Sequence, residues 1–241
     1  MISFIVPAYN EEQCLAETLA SINAAGLALG EAFEVIVAND GSTDQTAAIA
    51  LHSGAAVVHV AHRQIAATRN SGALAARGEW LLFVDADTLV NAEVVQAAVD
   101  AMRRGAVGGG AGMRFDEPVS QFARLLLRIV VRVFRITGWA AGCFLFCTRS
   151  AFLAVGCFDE NYYGAEEIVM SRALKKLWRL GKFVILKQAV TTSARKLRTY
   201  SIRETVVFMT RMALRGTKAL KQRQGMDLWY AERRKDLRKD T

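Results

Sequence analysis

A chain of 241 residues that is 52% hydrophobic carries enough apolar material for a sizeable core, which excludes a disordered tail and leaves one large domain or a domain with an appendage. Lys and Arg outnumber Asp and Glu by 31 to 23, and the resulting net charge of +8 favours acidic partners: phosphates, nucleic acid or anionic lipid. Cys14, Cys143, Cys147 and Cys157 lack CxxC spacing and His neighbours, so they read as buried free thiols rather than a zinc site or a disulfide framework.

The chain opens directly into the apolar run Ile2 to Val6, the first strand, with no basic leader or cleavage site before it, which points to a cytoplasmic protein. Pro7-Ala-Tyr-Asn-Glu-Glu12 follows, where a dinucleotide-binding domain would place GxGxxG, and a GKS phosphate loop is missing as well. Phosphate handling is therefore expected to rest on a metal and on arginine rather than on a glycine cradle. Asn10, with Gln13 three residues on, predicts a capped helix whose apolar face runs through Leu15, Leu19 and Ile22. Val35 to Ala38 reads as the second strand and ends in Asn39-Asp-Gly-Ser-Thr-Asp44, where Ser42 and Gln45 repeat the capping pattern for a second helix. Ala56 to Val60 is a third strand, Arg69 to Arg77 a helix closed by Gly78, and Trp80 to Val84 a fourth strand. A helix starting near Asn91 is closed by Gly105. Strands alternating with helices predict an α/β fold with a mostly parallel, Rossmann-like sheet.

The fourth strand runs out into Asp85-Ala-Asp87, and two like charges at a strand end repel unless a cation neutralises them. A divalent metal and a diphosphate would sit there. In open parallel sheets ligands bind beyond the carboxyl ends of the strands, and Pro7, Asp40 and Asp85 all fall at that edge, so three loops are expected to build one crevice. Asp40 and Ser42 also fit a plain turn and helix cap. Arg69, expected in the first turn of its helix, opposes the macrodipole, and a bound anion would compensate it.

Val107-Gly-Gly-Gly-Ala-Gly112 reads as a strand or turn where two backbones approach closely. A boundary near Arg114 divides residues 1–113 from a second half, 114–196, and a basic helical extension occupies 197–241. Gly164-Ala-Glu-Glu167 opens a helix whose apolar face holds Met170, Leu174 and Leu177 and which ends at Gly181. Its two glutamates lie at the positive end, a favoured position in any helix. Phe183 to Leu186 is one more apolar run.

Pro7-Ala-Tyr-Asn-Glu11, Asn39-Asp-Gly-Ser-Thr-Asp44, Arg69-Asn-Ser-Gly72 and Val84-Asp-Ala-Asp87 resemble, in order, the motifs of family 2 glycosyltransferases of the GT-A fold, over roughly residues 1 to 190. The resemblance implies an enzyme that moves a sugar from a nucleoside-diphosphate sugar to an acceptor hydroxyl, with Mn²⁺ or Mg²⁺ and inversion at the anomeric carbon. It places Pro7, Tyr9, Glu11, Asp40 and Arg69 in the donor pocket, with Asp85 toward the ribose and Asp87, beside Asp85, on the metal. Trp139 and Gly142 would meet the acceptor, though Trp139 fits a core position equally well. The family usually shows Glu-Asp where this chain has Glu166-Glu167; Glu167 is assigned as general base and Glu166 as the residue that orients it. The Gln-x-x-Arg-Trp motif of processive synthases is absent, which favours a single addition. A nucleotide-sugar binding protein without catalysis and a membrane-surface adaptor on the same fold are the competing readings.

No stretch is apolar and uncharged enough to span a bilayer. Arg124, Arg128, Arg132 and Arg135 form a cationic stripe in an otherwise apolar segment, and a second basic segment runs from Ile202 to Leu220. Both fit an ordinary packed amphipathic helix, and both fit peripheral contact with a membrane carrying a lipid-linked acceptor. No nucleic-acid reader motif is present.

Overall fold

The computed structural model describes residues 1–116, 132, 137–140, 142–194 and 220–221. The first half alternates as the sequence pattern requires: β1 (Ile2–Ala8), α1 (Leu15–Leu29), β2 (Phe33–Asp40), α2 (Thr46–His52), β3 (Ala56–Val60), α3 (Ile65–Ala75), β4 (Trp80–Val84), the two-residue β5 (Thr88–Leu89) and α4 (Ala92–Arg103). The second half contributes β6 (Ala106–Phe115), β7 (Phe144–Thr148), α5 (Arg149–Ala154), α6 (Glu166–Lys175) and β8 (Lys182–Thr192).

These strands form a single sheet in the order β3-β2-β1-β4-β7-β6-β8-β5. The expected parallel arrangement holds for β1 with β2, β1 with β4 and β2 with β3, and again for β6 with β8. Strand β7 enters antiparallel between β4 and β6, so the sheet is mixed at its centre. Successive residues of a strand face opposite sides, and β4 shows the result: Leu82 and Val84 join one core with Leu15, Leu19 and Val94, while Leu81 and Phe83 join another with Phe152, Met170 and Leu174. Helices α1 and α4 thus cover one face, and α3, α5 and α6 the other.

The β1–β4 ladder stops at Ile5–Phe83, whereas β1 stays paired to β2 as far as Ala8–Asn39. The two central strands therefore part from Val6 onward, where Pro7 has no N–H to offer, and strand order reverses at this point. The glycine run is a strand: an added Cβ on Gly109 would lie 2.1 Å from the Val184 carbonyl oxygen, and one on Gly110 would lie 2.6 Å from Ala140 Cβ. Close backbone approach is why side chains are excluded there.

Several local expectations need correction, among them the closing glycines Gly78 and Gly181, since α3 ends at Ala75 and α6 at Lys175. Helix α1 begins only after Cys14, and Asn10, at φ 51°, accepts a hydrogen bond from the Thr43 N–H instead of capping it. Ser42 accepts from the Asn10 N–H, and it is Asp44 that takes the Thr46 N–H at the start of α2. Tertiary partners outcompeted the local cap in both places. Helix α3 starts at Ile65, capped by the Gln64 side chain, so Arg69 lies in its second turn and not its first. Asn91 caps α4, and Gly105 closes it at φ 86°, as expected. All four cysteines are free; Cys143 and Cys147 are buried, Cys14 and Cys157 half-buried. Among the described residues no helix is long and apolar enough to cross a membrane. The amphipathic segments at 122–136 and 202–220, apart from positions 132 and 220, and nearly all of the extension at 197–241 lie outside the described residues.

Candidate active site

The crevice at the β1–β4 switch point is organised by Arg69. Its side chain is 2% exposed, and it reaches both halves of the fold: Nη2 donates to Asp85 Oδ1 at 2.8 Å and to the Gly142 carbonyl at 3.0 Å, while Nη1 donates to Glu166 Oε1 at 2.5 Å. The Phe158 ring lies 5.5 Å from the guanidinium carbon. Burial alone would make the cation easier to deprotonate, but Asp85, Glu166 and Glu167 outweigh it and push the proton affinity of Arg69 above its ordinary value. Placed in the second turn of α3, the cation is compensated by carboxylates of the protein itself.

The triplet Asp85-Ala86-Asp87 is held by its backbone. Asp85 N–H donates to the Cys143 carbonyl at 3.2 Å, the Ala86 carbonyl accepts from Thr18 Oγ1 at 2.9 Å, and the Asp87 carbonyl accepts from the Ser193 N–H at 3.0 Å. The triplet is thereby fixed to α1, to β7 and to the end of β8. Asp85 keeps 21% of its side chain exposed, and Asp87 is 8% exposed. Burial, together with both carboxylates, pushes the neighbouring Cys143 thiol up.

Motif Arg69-Asn-Ser-Gly72 joins the two halves. Asn70 takes the Phe158 N–H at 2.9 Å, gives its own N–H groups to the Phe158 carbonyl at 3.0 Å and to Glu160 Oε1 at 2.8 Å, and so fixes the segment leading into α6. Gln64 adds hydrogen bonds to the Glu160 and Tyr162 carbonyls. Gly72 lets the helix lie on β1, since an added Cβ would come 2.7 Å from Ile5 Cγ2. Nothing in the local pattern of the sequence announced this cross-link, because its partners are about 90 residues away.

Helix α6 starts from Ala165 in the left-handed region, φ 56°, and Glu166 and Glu167 occupy its first turn. Glu166 is buried at 4% exposure, and Glu167 is half-buried beside Gly142, where an added Cβ would sit 3.3 Å from the Glu167 carboxylate. Burial first, then the neighbouring Glu166 charge, pushes the Glu167 carboxyl up to about 8, against the opposing pull of Arg69. Trp139 is half-buried with the Arg172 guanidinium 4.8 Å from its ring, and the Ala140 N–H beside it is held by Ser171 of α6 at 3.0 Å.

On the other flank, Pro7 is buried within β1, and Tyr9 and Glu11 lie in the loop that follows. Glu11 N–H donates to Thr46 Oγ1 at 2.8 Å and Gln45 N–H to Glu12 Oε2 at 3.1 Å, which laces the β1 loop to the β2 loop. Asp40 is 5% exposed and engaged by the protein: Oδ1 accepts from the Arg63 N–H at 2.8 Å, and Oδ2 from the Gln64 N–H at 3.1 Å and Thr68 Oγ1 at 2.8 Å. Arg63, which the sequence did not single out, lays its guanidinium carbon 3.5 Å from the Tyr9 ring centroid.

Among the described residues no three His, Cys, Asp or Glu side chains form a cage for a metal. Two carboxylates at one strand end nevertheless suit a hard divalent cation whose remaining ligands are diphosphate oxygens and water, a shell that small cations of this kind prefer. The oxygen-only chemistry of the triplet fits that group.

Residues 3–158 match the model of the family described as glycosyl transferase family 2. An undecaprenyl-phosphate 4-deoxy-4-formamido-L-arabinose transferase of Pseudomonas aeruginosa is 34% identical over 162 residues, covering 60% of this chain and 46% of the relative. The chain thus spans about half the length of the curated relatives it matches. A mannosyltransferase of Pyrobaculum calidifontis, solved with GDP-Man and Mn²⁺, superposes with a TM-score of 0.67 at 18% identity over 92% of this chain and 64% of that one. Glucosyl-3-phosphoglycerate synthase of Mycobacterium tuberculosis, solved with Mn²⁺, UDP and phosphoglyceric acid, gives 0.62 at 20% identity over 92% and 78%. The shared architecture is that of the GT-A fold. With its four ordered motifs gathered at one edge of such a sheet, and its first two thirds matched by the family model, the chain belongs to glycosyl transferase family 2.

Proposed function

We propose that the protein is a metal-dependent, inverting glycosyltransferase that moves a sugar from a nucleoside-diphosphate sugar to an acceptor hydroxyl, on a lipid-linked or cell-envelope acceptor. One observation carries the reading: a single buried arginine, Arg69, holds the Asp85 end of the strand-four triplet and the Glu166-Glu167 pair of α6 in one constellation. Donor-side carboxylates and a basic carboxylate on the opposite flank are the two halves an in-line displacement needs. UDP and GDP-sugar complexes with Mn²⁺ among proteins of the same fold, and the undecaprenyl-phosphate named in the P. aeruginosa relative, support the donor and acceptor classes.

In this reading Pro7, Tyr9 and Glu11 line the nucleotide side with Asp40, Asp85 faces the ribose, and Asp87 with Asp85 holds Mn²⁺ or Mg²⁺. The bound cation supplies charge neutralisation to the departing diphosphate. Glu167, half-buried and basic for a carboxylate, takes the proton from the acceptor hydroxyl as that oxygen attacks the anomeric carbon from the face opposite the leaving group. Glu166 is committed to Arg69 and acts as a positioning residue, fixing the first turn of α6. Trp139 and Gly142, next to Glu167, border the acceptor. Peripheral contact with the cytoplasmic face of a membrane through the basic segments at 122–136 and 202–220 belongs to the same proposal.

The test is Glu167→Gln. The variant is expected to bind the nucleotide sugar with parental affinity and to lose transfer by about 10²- to 10⁴-fold, the usual contribution of a positioned general base. A variant that transfers at the parental rate would refute the assignment.

A further inference from the structure

Resting on the reading of Glu167 as general base, we infer that Gln64 is a positioning residue for that base: it ties the segment leading into α6 to the donor-side carboxylate of Asp40.

Gln64 is the residue from which α3 starts, and it is 7% exposed. Its backbone N–H donates to Asp40 Oδ2 at 3.1 Å. Its side-chain oxygen accepts the Ala67 N–H at 3.2 Å, which caps the helix. The side-chain nitrogen has two N–H groups left, and both go to residues 96 and 98 positions away: one to the Glu160 carbonyl, the other, at 3.1 Å, to the Tyr162 carbonyl. The opposite orientation of the amide would set its oxygen against two carbonyl oxygens. A cap needs only the oxygen, which serine or aspartate would also supply. The two bonds from the nitrogen serve the other half of the fold.

That half needs the support. Helix α6 starts from Ala165 with no side-chain cap, and Ala165 is in the left-handed region, φ 56°. A non-glycine residue persists there only where its surroundings fix it. Asn70 grips Phe158 and the Glu160 side chain, the Tyr163 N–H donates to the Leu220 carbonyl at 2.7 Å, and Glu166 is paired with Arg69. Gln64 adds the ties at the Glu160 and Tyr162 carbonyls, and its main chain carries them to Asp40, whose carboxylate also holds the Arg63 N–H and the Thr68 hydroxyl. The donor flank and the start of α6 are therefore joined at a second point besides Arg69. Glu167 stands in the first turn beyond that joint, and a displacement of about 1 Å at a positioned group is enough to lower a rate by about 10²-fold.

The experiment uses the full chain and compares the parent with Gln64→Ser and Gln64→Glu, each alone and combined with Glu167→Gln. Both replacements keep an oxygen to cap α3, and neither donates to the two carbonyls. Turnover is read as UDP or GDP released from UDP-glucose and GDP-mannose in Mn²⁺ with water as acceptor, nucleotide binding by calorimetry with UDP and GDP, and the start of α6 by hydrogen exchange. Both variants are expected to lose about 10- to 10²-fold in kcat, to keep KM and nucleotide affinity within about twofold, and to exchange the amides from Tyr163 to Glu167 faster. Added to Glu167→Gln, either replacement is expected to lower turnover by no more than about twofold further, because it acts through a base already removed. Parental kcat in Gln64→Ser would overturn the inference, as would a loss confined to Gln64→Glu, which traces to the added charge. A fall in nucleotide affinity as large as the fall in kcat would confine Gln64 to the donor flank and overturn it too, and so would a full additional loss on top of Glu167→Gln. Each of these leaves the proposed function standing. A parent that neither binds nor releases UDP or GDP would overturn the functional reading and this inference together.

Discussion

Replacing Arg69 by Met removes a cation that is 2% exposed and strands two carboxylates at once. Their situations differ. Asp85, with 21% of its side chain exposed, regains water, whereas Glu166, at 5%, does not, so most of the cost falls on Glu166. Breaking a buried ion pair by deleting one partner costs about 3–5 kcal/mol. The lost hydrogen bond to the Gly142 carbonyl, 3.0 Å in the parent, adds to it. For a chain of this size that corresponds to a fall in Tm of about 6–20 °C. Urea denaturation at pH 7, followed by circular dichroism, measures the loss. The physical claim is that the damage comes from an unpaired buried charge, so Glu166→Gln introduced together with Arg69→Met should recover at least half of it. A loss under about 1 kcal/mol, or a double variant as unstable as Arg69→Met alone, would refute the reasoning.

Further expectations concern the same constellation. The Glu167 carboxyl takes up protons more readily in the folded chain, near 8, than in the unfolded one, so its contribution to stability is complete below the unfolded value of 4.5 and is lost as pH rises toward 8. Glu167→Gln should therefore match the parent in thermal melts near pH 4.5 and exceed it, by something on the order of 2–3 kcal/mol, at pH 8.5; equal stability at both pH values would count against the burial of this charge. Asp87→Asn should abolish the stabilisation that Mn²⁺ adds to a nucleotide-bound sample in thermal shift while leaving the unliganded melting temperature within about 3 °C, as a near-isosteric change costing under about 1 kcal/mol would. Asn70→Ala removes three hydrogen bonds to Phe158 and Glu160 and should cost about 2–3 kcal/mol in urea denaturation, with reduced protection of the Phe158 amide in hydrogen exchange. Gly72→Ala places a methyl 2.7 Å from Ile5 Cγ2 and should cost about 1–3 kcal/mol, read by urea denaturation.

Local pattern was sufficient wherever the physics is local or periodic. Runs such as Ile2 to Val6 and Trp80 to Val84, broken by turn residues, specified strands because an alternating or continuous apolar run has few other ways to be buried. Asn91 and Gly105 marked the ends of α4 because their partners lie within a few residues. The order of motifs at strand ends specified the GT-A fold and the edge at which Asp85, Tyr9 and Asp40 would gather, since parallel strands bring their carboxyl ends to one side. Only the tertiary structure decided what each charged group does there. Asn10 and Ser42 bind each other's loops and not the helices they precede, because a partner some 30 residues away offers a hydrogen bond that the local cap competes for and loses. Arg69 is compensated by Asp85 and Glu166, 16 and 97 residues away, and Arg63, in the loop after β3, stacks on Tyr9 in the loop after β1. Contacts of that kind depend on distances in the folded chain that residue spacing does not encode, and they set the burial and the electrostatics on which the chemistry of Glu167 depends.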